Sequence, residues 1–546
     1  MSKLNFIDLF CGCGGFSLGL KRAGLTGLAA IDFNSEAIAV FKKNLPEIPH
    51  ILDEDLTRFA PSELEKLIGT DKIDIIVGGP PCQGFSTVRQ VDGANNGKRL
   101  VDDERRYLYR EFLRYVKFFH PKVFVMENVL GIRSASEGEY FTRVQTEARA
   151  LGYRVHAQIE DCVDLGLPQK RRRQLFIGTR LGLPDYFRPD LKPAPRIDVG
   201  SEGSRGLKAP LTLWEAIGDL PPLAAGAGTE ESEYDLERFK NQLKAYGGRY
   251  LLDVLEVDIT KTLTAHRARP HSDRDLRDFA LLREGENSKD AMERDVHFEF
   301  PYDKETFKDR YTRQHRNEPC STIVAHLSKD GLMFIHPTQK RSLTPREAAR
   351  IQSFPDWFEF PIARTHQFRV IGNAVPPLVG EAIGIAVKSY IEKTMKKSKT
   401  LNFELSPLPE NEKEAVHWLL PMLALDKRGL RTVPDQEFKR AWYSIAFLYV
   451  GLHPDSALEH GTRISNDSAD YAPVSRIEPR LVKPYYEQSG WPVVLAPVAK
   501  EAWRRYEGGT LKDDEFYCSE AQMAGICHRS PELAQEVLEG RRTAAS

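Results

Sequence analysis

The stretch Leu4–Gly19, LNFIDLFCGCGGFSLG, decides the fold. Its apolar run from Leu4 to Phe10 reads as a strand, glycines 12, 14 and 15 follow, and helical spacing begins near Phe16. Glycine lets a backbone turn tightly and approach a ligand where a strand hands over to a helix. Taken alone, such a turn could serve NAD, FAD or S-adenosylmethionine, or simply close a tight corner. Working outward, Gly27 to Asp32 reads as a second strand, Ser35 to Asn44 as a helix, and Ile73 to Val77 and Val123 to Met126 as further strands. Apolar strands alternating with helices predict an α/β fold whose parallel sheet is covered on both faces. Ligands of such sheets bind at the carboxyl ends of the strands.

Chemistry-bearing residues fall at those ends. Asp32 closes the second strand about 20 residues after the glycine turn, where a carboxylate can accept hydrogen bonds from ribose hydroxyls. Phe33 follows it and is either a face for an adenine ring or a core aromatic. Asp55 is placed to reach an adenine amino group. GGPPCQGFS, Gly78 to Ser86, puts Cys82 after a strand among residues of turn chemistry, which is a poor setting for a buried structural thiol. MENV ends the next strand in Glu127, a carboxylate suited to acid–base work. In QKRRRQLFIG, Gln169 to Gly178, Arg171 and Arg173 share one face of an extended segment, with Arg172 on the other. Same-side arginines suit phosphate or carboxylate recognition, although a solvated basic edge has the same pattern.

The pattern changes after about Arg180. Residues 181–340 carry scattered Pro and Gly and little periodicity, and read as an inserted, irregular, partly β domain. At 341–395 order returns: LTPREAARIQSF predicts a helix with Thr344 as N-cap and Pro345 at its first position. A strand-like QFRVIGNAV and a Pro-started helix from about Pro376 follow. KKSKT, 396–400, reads as a linker before a mainly helical region at 401–546.

Composition bounds the rest. With 41% apolar and 28% charged residues and a net charge of −1, the chain reads as an ordinary globular protein whose partner is not revealed by overall charge. Seven cysteines in no repeating pattern point to reduced thiols, and none has zinc-finger spacing, so no metal site is expected. The amino terminus MSKLNFIDLF lacks a signal-type apolar region, and the longest apolar run, Ala441 to Leu452, is too short for a bilayer; a cytoplasmic protein without membrane association is expected.

Over residues 4–392 the ordered motifs, FxGxG, PPCQGFS, ENV, QxRxR, RSLTPREAARIQSFPDWF and QFRVIGNAVPP, resemble the DNA cytosine-5 methyltransferase family. The resemblance implies a Rossmann-like S-adenosylmethionine-dependent fold with a mixed seven-stranded sheet. Residues 1–180 and 341–395 would form the catalytic part, 181–340 a target-recognition domain, and 401–546 an extra, mainly helical C-terminal region. It implies Cys82 as a nucleophile toward C6 of a cytosine flipped out of double-stranded DNA, with Glu127, Arg171 and Arg173 serving the base. For the donor it implies Phe10, Gly12, Gly14, Asp32, Phe33, Asp55, Leu56, Pro80, Leu108, Asn373 and Val375. Gln83, Ser86, Arg89, Gln169 and Thr322 would face DNA, and the polar segment 87–106 would close over it. Asp32 and Phe33 stand where the family more usually has Glu and Trp. A monomer, partnered in the cell by a cognate restriction or defence protein, is expected. Three rivals stay open: a tRNA cytosine methyltransferase on the same core, a catalytically dead binding module, and a dinucleotide oxidoreductase, which would leave Cys82, Glu127 and the arginines unexplained.

Overall fold

A computed structural model describes residues 4–81, 107–181, 191–196, 210–299, 311–329 and 331–398. Eight strands and five helices make up its first part: β1 (Asn5–Leu9), α1 (Gly15–Arg22), β2 (Thr26–Asp32), α2 (Ser35–Asn44), β3 (His50–Asp53), α3 (Pro61–Ile68), β4 (Ile75–Gly78), α4 (Leu108–Phe119), β5 (Val123–Asn128), α5 (Glu139–Ala150), β6 (Arg154–Asp161), β7 (Gln169–Lys170) and β8 (Arg172–Thr179). Seven strands form one mixed sheet in the order β3-β2-β1-β4-β5-β8-β6. The pairs from β3 through β5 are parallel, and β8 runs antiparallel to both β5 and β6.

The strands are apolar because both faces are buried. Phe6, Val77, Val125 and Ile177 enter one core with α1 and α2, while Ile7, Ile76, Phe124 and Phe176 enter the other with α4 and α5. Strand residues alternate between the two cores with period two. Gly178 lies against this packing: a Cβ there would stand 1.9 Å from the Phe124 ring.

The insert is more helical than its sequence suggested. Its described part holds α6 (Leu213–Ile217), β9 (Glu231–Ser232), α7 (Leu236–Tyr246), β10 (Leu263–Thr264), α8 (Asp273–Leu281), α9 (Ser288–Met292) and β11 (Cys320–Ser321). Each of these helices starts at a polar cap: Thr212, Asp235, Ser272 and Asn287 accept backbone N–H groups through their side chains. Those caps satisfy N–H groups that a helix start would otherwise leave unpaired, and they stand in the sequence as legible start signals.

The return segment comprises α10 (Pro345–Ile351), α11 (Arg364–Asn373) and α12 (Pro377–Ser398). Thr344 does cap α10, and Glu347 completes a reciprocal capping box with it. QFRVIGNAV, in contrast, is helical rather than a strand. Gln367, Phe368, Val370 and Ile371 are buried at a helical repeat, and the segment pairs with no strand of the sheet, whose edges are β3 and β6. A fully buried ionic knot ties the insert to α10: Arg350 bonds Asp219 at 2.6 Å and Asp356 at 2.8 and 2.5 Å. The run Arg364–Thr394 is long and apolar enough to cross a bilayer, but 83% of its apolar window is buried inside the protein.

Candidate active site

The carboxyl ends of β1, β2, β4 and β5 lie at one level, since Leu9 is level with Ile31 and with Gly78, and Gly78 with Met126. Phe10, Asp32, Gly79 and Glu127 therefore line one edge of the sheet. At the first of these ends the chain turns through left-handed backbone at Phe10 (φ 56°), Gly12 (φ 55°) and Gly14 (φ 95°). Gly12 donates its N–H to Asp32 Oδ2 at 2.9 Å, and Asn34 donates to Oδ1 at 2.9 Å. Asp32 thus shapes the turn from below, and its burial pushes its carboxyl above the usual range.

This turn fits a nucleoside-bearing donor. A Cβ on Gly12 would meet nothing within 4 Å, so the turn opens onto space. Phe33 is 62% exposed beside Asp32, which removes the reading of a core aromatic and leaves an aromatic face free for a ring. Asp55 holds Thr57 through one oxygen, at 2.9 Å to N–H and 2.8 Å to the hydroxyl, in a local turn that leaves its other oxygen outward. Leu56 is buried, Leu108 opens α4, and Pro80 is buried with its carbonyl accepting from Asn128 Nδ2 at 3.2 Å.

The far wall comes from the other end of the domain. A Cβ on Gly15 would stand 2.2 Å from the Val375 carbonyl oxygen, and one on Gly19 2.3 Å from that of Pro377. Only glycine lets α1 meet α12 this closely. The crossing carries Asn373, exposed at the end of α11, and Val375 to the glycine turn.

Glu127 is 9% exposed and pairs with Arg173, Nε to Oε1 at 2.9 Å. Its other oxygen faces the strap after β4, since a Cβ on Gly79 would lie 3.4 Å from Oε2. Asn128 ties that strap at Pro80, so the ENV motif supplies both the carboxylate and its neighbour's anchor. Cys82, Gln83, Ser86, Arg89 and the segment 87–106 lie outside the described residues.

Two expected roles change. Arg171 does not hydrogen-bond Glu127. It is buried, donating to the carbonyls of Ile323 and Ala374 at 3.0 Å each, and burial lowers its guanidinium to about 9. Gln169 cannot face DNA in this arrangement: it is fully buried, with Nε2 on Gln352 Oε1 at 2.9 Å and Oε1 accepting from Ile323 N–H at 2.8 Å. Thr322 remains half-buried, with its hydroxyl on the Lys170 carbonyl. Asp8 and Gln352 were not singled out from sequence. Asp8 was hidden inside an apolar strand and Gln352 inside a helix motif.

Among the described residues no group of three His, Cys, Asp or Glu is placed to hold a metal. Cys11, Cys13, Cys162 and Cys320 are free and buried, and burial raises the Cys13 and Cys162 thiols to about 12.

Known proteins carry the same plan. The chain is 35% identical over 405 residues to the type II methyltransferase M.DdeI of Desulfomicrobium norvegicum, spanning 71% of this chain and 89% of that one. It is 32% identical to the type II methyltransferase M.AgeI of Thalassovita gelatinovora, spanning 70% and 99%. A crystal structure of a protein described as a DNA modification methyltransferase encoded within an E. coli prophage matches with a TM-score of 0.53 and 28% identity, covering 71% of this chain and all of that one. The profile described as C-5 cytosine-specific DNA methylase matches residues 4–389, and with these relatives it makes the chain a member of that family, a DNA cytosine-5-methyltransferase.

Proposed function

We propose that the chain methylates C5 of cytosine within a specific sequence of double-stranded DNA, through a covalent bond between Cys82 and C6 of a flipped-out base. The Glu127–Arg173 pair carries this reading, because it stands at the sheet edge against the strap that leads straight into Cys82. C5 of cytosine is a weak nucleophile. Addition of the Cys82 thiolate to C6 breaks the C5–C6 double bond and leaves an enamine across C4 and C5, whose C5 is a good nucleophile. Glu127, as a carboxylic acid toward N3, neutralises the charge this addition builds, and Arg173 holds its carboxyl in place. S-adenosylmethionine, when bound, supplies an electrophilic methyl on a sulfonium and leaves as the thioether. Once C5 has bonded the methyl, loss of the C5 proton to water, return of the N3 proton to Glu127 and expulsion of the thiolate restore the C5–C6 double bond and the enzyme.

For the donor, Asp32 and the Gly12 turn hold the ribose side, Phe33 faces the adenine, and Asn373 and Val375 close the pocket. A base inside a duplex cannot reach Cys82, so the target is extruded, and the segment 87–106 closes behind it. Residues 181–340 act as the recognition domain on the catalytic part, 1–180 with 341–395. Residues 401–546 form an accessory region. The kinship with type II methyltransferases suggests a role in a restriction-modification system alongside a cognate nuclease, with the enzyme acting as a monomer.

Bisulfite sequencing of DNA from cells expressing the chain tests the activity and reads its target together. Methylcytosine in one sequence context is expected, and Cys82→Ala should abolish it while donor binding persists. Methyl transfer to tRNA and not to duplex DNA, or full turnover by Cys82→Ala, would reject the proposal.

A further inference from the structure

Three distant segments converge on two buried glutamines. The insert's closing segment pairs with the catalytic strand through β11 and β7, with Cys320 level with Gln169. Three residues on, both backbone groups of Ile323 are held by side chains of the catalytic part: its N–H by Gln169 Oε1 at 2.8 Å, its carbonyl by Arg171 at 3.0 Å. Gln169 then donates to Gln352 at 2.9 Å, and Gln352 donates to the Ile371 carbonyl at 2.7 Å and toward that of Ala374 at 3.5 Å. Arg171 reaches the same Ala374 carbonyl at 3.0 Å. Ala374 lies between Asn373 and Val375, the far wall of the donor pocket. The backbones also touch there: a Cβ on Gly372 would stand 2.3 Å from the Val324 carbonyl carbon.

Both glutamines are wholly buried and all four of their amide heavy atoms are hydrogen-bonded. An apolar pair of similar volume would remove both partners of the Gln169–Gln352 bond, which is often nearly neutral, and would leave the buried Ile323 N–H without its acceptor, which carries a moderate cost in stability. What an apolar pair would lose is the amide relay from the Ile323 N–H to the Ile371 carbonyl, leaving Arg171 alone to bridge the Ile323 and Ala374 carbonyls. Rigid, fully satisfied polar networks have few alternative arrangements, so a displacement at one end is carried to the other.

We propose that Gln169 and Gln352 are a positioning pair that couples seating of the recognition segment at Thr322–Ile323 to the shape of the donor pocket at Asn373–Val375, so that DNA and donor tighten each other's binding. The proposal rests on the donor-pocket and recognition-domain readings above. Coupling of this kind is reciprocal and typically amounts to roughly 5-fold to 150-fold in affinity.

The test is calorimetric titration of S-adenosylhomocysteine into the full chain, alone and with an unmethylated duplex carrying the sequence that bisulfite mapping identifies. Wild-type protein should bind it at least about fivefold more tightly with the duplex present. In Gln169→Leu/Gln352→Leu that ratio should fall to within about twofold of one, while the melting temperature falls by only the few degrees that one stranded backbone N–H costs. Should the double variant fold poorly, Gln352→Met alone should lower the ratio. A purely structural role would weaken binding equally with and without DNA and leave the ratio intact, which overturns the proposal, as does a wild-type ratio of one. Phe33→Ala separates the layers. Unchanged affinity there means the pocket reading has failed. Weakened affinity, with a ratio indifferent to the glutamines, means that only the coupling has failed.

Discussion

Asp8→Asn should stabilise the protein, and by an amount that grows with pH. Asp8 lies on β1 facing α1, 1% exposed, with Ser17 donating to Oδ2 at 2.6 Å and no partner for Oδ1 among the described residues. Burial outweighs the Ser17 bond, nearby Asp32 adds like charge, and the carboxyl is raised from 3.8 to about 7. The folded chain therefore holds this proton more tightly than the unfolded chain does. The advantage is fully present below pH 3.8 and is lost as pH rises to about 7, above which a buried carboxylate remains as a fixed cost. At 1.36 kcal/mol per pKa unit, that cost is about 1.7 kcal/mol at pH 5 and about 4 kcal/mol at pH 8. Asparagine keeps an oxygen for the Ser17 hydroxyl and carries no charge. Urea unfolding of wild type and variant from pH 5 to pH 8.5 measures the difference directly. A gap that is constant with pH, or widest at pH 5, would show that Asp8 is ionised throughout and that a compensating cation has been overlooked.

The remaining expectations concern the site and its supports. Glu127→Gln should lower the methylation rate constant by roughly 10²–10⁴ while leaving donor affinity within about twofold; a near-wild-type rate would end its acid role. Gly15→Ala forces a methyl group toward the Val375 carbonyl, 2.2 Å from its Cβ position. It should cost about 1–3 kcal/mol of stability and weaken donor binding, both measurable by thermal shift with and without donor. Arg350→Ala strands Asp219 in the core, leaves Asp356 with only Tyr234 and Arg346, and should destabilise by about 3–5 kcal/mol in urea unfolding; a cost under about 1 kcal/mol would mean the knot is solvated.

What could be read from sequence follows from how local each signal is. Strands β1, β2, β4 and β5 were legible because burial on both faces makes them continuous apolar runs, whereas β6, RVHAQIED, mixes polar with apolar residues and was not; the glycine turn was legible because positive φ at Gly12 and Gly14 demands that residue type. The short β3 was not singled out, since HILD is half-buried at a sheet edge and carries no alternation. QFRVIGNAV was misread because a short apolar run of β-branched and aromatic residues suits strand and helix alike; tertiary context chose helix. Gln169 was assigned toward DNA and Arg171 to the base because a basic, polar segment suits contact with either. Their partners, Ile323, Gln352 and Ala374, lie 150 to 200 residues away, and no local pattern announces them.

The misreading of α11 did not displace Val375 from the glycine turn, and the reason is physical. Its placement depends on the crossing of α1 and α12, and that crossing is encoded in small residues on both helices. Gly15 and Gly19 admit the Val375 and Pro377 carbonyls, while a Cβ on Gly380 would meet the Phe16 carbonyl at 2.9 Å and one on Gly384 the Ala23 Cβ at 2.7 Å. Backbones brought this close leave little freedom to slide, so whatever precedes Pro377 is delivered to the mouth of the glycine turn, whether as helix or strand. The proposed donor pocket is then a contact between the first and last helices of the catalytic part, some 360 residues apart in sequence. A pocket built so late in the chain exists only when the whole domain is folded. A donor that binds it must stabilise the entire domain, by about 2.7 kcal/mol at one hundred times its dissociation constant, and not the glycine turn alone.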